Sequence, residues 1–125
     1  MFFVISGAMN KEEVDAVKIK WKQLTEALAK QFDEAPDLQV ILFLIGVQEL
    51  GKGKQTFSKD DKQNLMHLAT CRILSEFGYY SFEKLDEDGW PHYKVIQKLP
   101  PMSVGEQDLM LRKAAIAYFE KKEIL

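Results

Sequence analysis

Val40-Ile41-Leu42-Phe43-Leu44-Ile45-Gly46-Val47 is the most apolar stretch of this chain, and its conformation decides the fold. From Leu38 to Val47 no residue is charged, and Gln39 is the only polar side chain. A membrane-spanning helix needs about 20 apolar residues, so this run is too short to cross a bilayer and reads as buried core. A short all-apolar run conceals its own period, so its flanks must arbitrate between helix and strand. Pro36 and Asp37 resemble a helical first turn, with a fixed φ and a negative charge at the positive end of the dipole. Gln48, Glu49 and Leu50 prolong the run with good helix formers, and Gly51 stands where a left-handed C-terminal cap falls. Val40, Ile41, Phe43, Ile45 and Val47 pull toward strand. The flanks prevail, and the reading is a central buried helix over 36–50.

Toward the N-terminus, Asn10 with Glu13 has capping-box spacing, and Met9 is placed to staple onto Val14. Val14, Val17, Trp21, Leu24 and Leu28 follow at spacings of 3, 4, 3 and 4, one stripe of an amphipathic helix from Lys11 to Phe32. Glu26 and Lys30 form a favourable i,i+4 pair on another face. The stripe falls short of the three to four heptads that a coiled coil requires, so it reads as a packing face within the chain. Residues 1–8 read as an N-terminal extension to a single domain spanning 9–125. Docking of Phe2–Ile5 as a short strand or lid is the other reading.

Toward the C-terminus, Gly51–Thr56 is a basic loop, and Ser58 caps a third helix with Asp60 and Asp61 in its first turn. That helix runs to about Phe77, is stopped by Gly78, and carries Leu65, Met66, Ala69, Ile73 and Phe77 on one face. Residues 79–99 hold three of the four tyrosines, one of the two tryptophans, Gly89 and Pro91. Tyr79–Leu85 and His92–Leu99 pair as a hairpin across the turn Asp86-Glu87-Asp88-Gly89, or else form an ordered aromatic loop. Pro91 confines the second arm to a sheet edge. Ser103 and Glu106 make another capping box before a last helix over 104–122. Two apolar stripes run along it: Leu111, Ala114, Tyr118 and Leu125 on one, Leu109, Ile116 and Phe119 on the other. The fold class is therefore mainly α, a four-helix bundle-like domain around a buried apolar second helix, with a small hairpin between helices 3 and 4.

The chain has 125 residues, the size of one domain, with 46% hydrophobic and 29% charged side chains. Seventeen basic and 19 acidic residues leave a net charge of −2, which speaks against nucleic acid or an acidic membrane as partner. The lone cysteine, Cys71, has no partner for an internal disulfide, so a reducing compartment is expected. Met1–Met9 lacks the basic region and apolar length of a secretory signal, which adds to the expectation of a cytoplasmic protein.

Gly46-Val47-Gln48-Glu49-Leu50-Gly51-Lys52 matches the G-x-x-x-x-G-K core of a phosphate loop. The position after the lysine should carry a hydroxyl for magnesium and is Gly53. The segment that should open a helix onto the phosphates, 53–56, is helix-poor. No nucleotide cofactor is expected. Asp86-Glu87-Asp88-Gly89, aligned as a calcium loop, puts Lys84 and Val95 where Asp and Glu are required, and reads as a turn. His67 and Cys71 lie four apart on a helix, a spacing at which both can ligate one metal, with His92 as third ligand and Asp88 or Glu87 as fourth. A cleft of Glu49, His67 and His92 is a further arrangement to look for. A small buried hydrophobe and a solvated histidine make the plainer account of Cys71 and His67.

The function expected from the sequence is non-catalytic binding or assembly without a cofactor. The surfaces are the last helix (Leu111, Ala114, Tyr118, Phe119) and the aromatic segment (Trp90, Tyr93). A second apolar stripe needs cover; residues 1–8 or the hairpin could supply it within the chain, and otherwise a homodimer or a protein partner is expected. The competing class is a small enzyme or metal-binding protein using His67, Cys71 and His92.

Overall fold

A computed structural model describes residues 9–31, 35–52 and 56–122, and the chain is mostly helical with one small antiparallel hairpin. In order the elements are α1 (Lys11–Ala29), α2 (Leu38–Leu50), α3 (Lys59–Ser75), β1 (Tyr80–Leu85), β2 (Pro91–Val95) and α4 (Val104–Lys121). The readings placed on residues 1–8 and on Leu125 lie outside the described residues.

Side-chain caps fix where the helices begin. Ser58 with Asp61 and Ser103 with Glu106 form complete capping boxes. At α1 only half of the box forms: Asn10 accepts from the Glu13 amide at 2.8 Å, while the Glu13 carboxylate reaches Lys113 at 3.5 Å. At α2 the expected start at Pro36 is corrected. Asp37 is itself the cap, extended and accepting from the Val40 amide at 2.9 Å, so the helix opens at Leu38. At its far end Gly51 adopts φ 70°, and its N–H donates to the Val47 carbonyl. The α1 helix ends at Ala29, and Glu26 pairs with Lys22 at 3.9 Å.

The apolar run is helical, but it is not the centre of the fold. It buries one face, through Ile41, Leu42, Ile45, Gly46 and Leu50, while Val40 is 39% exposed and Phe43, Leu44 and Val47 are half-buried. Its main partner is α3. The two helices touch backbone to backbone, because a Cβ built on Gly46 would sit 2.2 Å from the Leu65 carbonyl oxygen. Here a glycine is required by space alone.

The centre belongs to α3 and α4. In α4, Met110, Ala114, Ala115, Ile116, Tyr118 and Phe119 are buried, and α1, α2 and α3 all pack against it. The described members of both apolar stripes are thus buried or half-buried within one chain. Ala114, Tyr118 and Phe119, expected at an interaction surface, are core residues, with Leu111 packed against the same cluster.

The hairpin pairs Tyr80 with Val95, Phe82 with Tyr93 and Leu85 with Pro91, with an irregularity between Phe82 and Lys84. Its second arm begins at Pro91 and ends at Val95, shorter than the expected 92–99. Pro91 is tolerable there because a first strand residue needs no ladder donor. Buried Tyr79 ties the base: its carbonyl accepts from the amides of Ile96 and Gln97.

Candidate functional site: the cleft between α3 and the hairpin

Asp61, Asn64, His67, Leu68 and Cys71 recur at helical spacing and give α3 one continuous face. Opposite them stand Asp86, Asp88 and the run Trp90–Tyr93, and between the two walls lies a cleft of about 460 Å³. That volume falls within the range of small-molecule sites, roughly 300–1,000 Å³.

The wall on the hairpin side is held by Asp86. Its Oδ1 accepts from the amides of Asp88 at 2.9 Å and Trp90 at 3.0 Å, and its Oδ2 lies 2.9 Å from His92 Nε2. The contact with His92, joined by the backbone donors, holds the Asp86 carboxyl below the usual carboxylate range. Main-chain bonds complete the turn, Gly89 N–H to Asp86 O and Asp86 N–H to Trp90 O, with Gly89 at φ 83°. Trp90 and Tyr93 pack on the buried trio Leu50, Leu65 and Leu68, and Phe82 meets Tyr93 edge-on at 5.9 Å. The Tyr93 phenol is raised by burial, against the opposing pull of Arg72.

On the helix side Cys71 Sγ lies 3.6 Å from His67 Nε2, so the pair seen in the sequence is a real contact. The thiol is only 4% exposed, and burial raises its pKa. A reactive thiol needs the opposite, an electropositive setting that favours the thiolate. His67, Cys71 and His92 do line one cleft, together with Asp88. Yet among the described residues no three His, Cys, Asp or Glu side chains come together as a group able to hold a metal ion.

Glu49 is not part of this cleft. It accepts from Tyr118 Oη at 2.7 Å and from Arg72 Nε at 3.1 Å, and Arg72 continues to Glu76 at 2.6 Å. Lys121 closes on Glu76 at 3.2 Å, while the Arg72 guanidinium lies over the Tyr118 ring. The sequence reading missed this network. Arg72 and Glu76 at i,i+4 were its one legible trace.

The phosphate-loop pattern dissolves into structural parts. Gly46 serves the approach of α2 to α3, Gly51 caps α2, and Lys52 Nζ donates to the Asp88 carbonyl at the hairpin turn. The preceding element is a helix, where a phosphate loop follows a strand. Comparison with protein-family models, with curated proteins and with solved structures finds no match to this chain.

Proposed function

We propose that the protein is a non-catalytic binding module, in the four-helix bundle-like frame expected from its sequence, and that it binds in the cleft between α3 and the hairpin. One observation carries this reading: a cleft of ligand-sized volume lined by Trp90 and Tyr93, beside a thiol that burial keeps protonated. Burial disfavours the Cys71 thiolate, and the aromatic wall is braced from behind by Leu50, Leu65 and Leu68. The α4 helix supports this frame from inside. No helix among the described residues is long and apolar enough to cross a membrane, and a cytoplasmic setting fits the one free cysteine.

A fragment screen by two-dimensional NMR tests the reading. Bound fragments should shift amides of residues 61–71 and 86–93, and Asn64→Trp, an exposed lining position, should abolish those shifts without unfolding the chain. Fragments that gather elsewhere, or turnover of a substrate dependent on His67 and His92, would replace this reading.

A further inference from the structure

Three carboxylates line the cleft. Asp61, Asp86 and Asp88 stand along it with His67 and His92, and among the described residues no lysine or arginine lines it. The three carboxylates differ in what they already do. Asp86 is committed to the turn amides and His92, and one oxygen of Asp61 accepts from the Ser58 amide at 3.2 Å. Asp88 is exposed, and among the described residues its carboxylate has no hydrogen-bond or ion-pair partner. Lys52 Nζ is held at the Asp88 backbone carbonyl, and Lys52 is not among the lining residues.

An anion entering here would face the carboxylates of Asp61 and Asp88. A wholly apolar ligand would strip water from carboxylates and return no bond to them. A cation is attracted by the carboxylates and by aromatic rings together. From this juxtaposition of Asp61, Asp88, Trp90 and Tyr93 around one cavity we infer that the cleft takes an organic cation, an ammonium or guanidinium group carried on a short apolar stem. The inference rests on the binding reading above and names the chemistry of its ligand.

The test is a titration of the full chain, followed by NMR on the Trp90 indole and the amides of 61–71. Butylammonium and butylguanidinium are the cationic probes, and butyrate is the anionic control of similar size. The expected result is saturable shifts with one or both cations, at a dissociation constant on the order of millimolar for ligands this small, and none with butyrate. In Asp88→Asn, whose backbone N–H still serves Asp86, affinity should fall about fivefold to tenfold with the loss of one facing charge. Saturable binding of butyrate in place of the cations would overturn the cation assignment and leave the cleft as a site. Shifts from the cations that are unchanged in Asp88→Asn, or absent from the cleft altogether, would overturn it as well. Fragment hits that map outside the cleft would instead remove the site itself.

Discussion

The Tyr118 hydroxyl donates to Glu49 Oε2 at 2.7 Å and so joins the last turn of the last helix to the end of the second. Burial and the neighbouring carboxylate both favour the protonated phenol and drive its pKa far up. Tyr118→Phe removes one hydrogen bond to a charged acceptor while leaving Arg72 on Glu49, and should cost about 1.5–3 kcal/mol. Urea denaturation measures it, and a change within error of zero would mean that the bond contributes nothing. Tyr118→Glu buries a charge beside Glu49 and should give an unfolded or severely destabilised chain. A folded monomer obtained from a larger wild-type species would instead restore the dimer expected from the sequence.

Gly46 and Gly105 should answer alanine substitution with opposite signs. Nothing lies within 4 Å of a Cβ at Gly105, in the first turn of α4, so Gly105→Ala should stabilise by about 0.4–1 kcal/mol through the unfolded chain. Gly46→Ala gains the same helical propensity but drives a methyl into the Leu65 carbonyl. The strain of overpacking, about 1–3 kcal/mol or more, should leave it destabilised. Thermal unfolding of the two variants decides, and equal shifts would contradict the close approach of α2 and α3.

Acid should loosen the Glu49–Arg72–Glu76 network in a defined window. Burial alone would raise the Glu76 pKa, but hydrogen bonds from Arg72 and Lys121 win and lower it from 4.5. Well above that value both folded and unfolded chains carry the ionised group, and its stabilisation is complete. As pH falls past 4.5 the unfolded chain takes up the proton first, and the contribution drains away until the folded pKa is passed. Glu76→Gln should therefore flatten the fall of melting temperature below pH 5, the upper edge of that window. A wild-type profile and a Glu76→Gln profile that run parallel would show the network to be indifferent to this proton.

Cys71 should be slow toward thiol reagents. Its 4% exposure and raised pKa predict modification at the rate of local opening, with full reactivity in denaturant. Ellman's reagent measures both rates. Prompt stoichiometric reaction of the native protein would indicate an accessible thiolate and revive an enzymatic reading of the His67–Cys71 pair.

Local chemistry made most of the helices legible. Ser58, Ser103, Asn10 and Gly51 act as the caps their residue types announce. The Asp86–Gly89 turn forms with the expected residues at its corners. What the sequence concealed depends on long-range approach. Nothing local tells that the mostly apolar α2 lies to one side, since its backbone contact with Leu65 is a property of two helices together. The same holds for α4, whose second stripe looks unpartnered until its neighbours are placed around it. The cleft was half legible. His67, Cys71, His92, Trp90 and Tyr93 were singled out by residue type, whereas Asp61 and Asn64 are ordinary helix-surface residues that only the hairpin turns into lining.

The first helix finds its principal partner in the last one. Lys20 meets Glu120 at 3.0 Å and Glu13 meets Lys113, each pair 100 residues apart in the chain. A ribosome adds about 5–20 residues per second, so α1 emerges some 5–20 s before the helix that will cover it. During that interval Val17, Leu24 and Leu28 have no α4 to pack against, while α2, α3 and the hairpin, close neighbours in sequence, can already associate. Hydrogen-exchange labelling during refolding should accordingly find α1 and α4 protected together, after α3, and early protection of α1 alone would refute this order. The stripe that completes the core last is thus the surface that a nascent chain leaves open to chaperones and to aggregation.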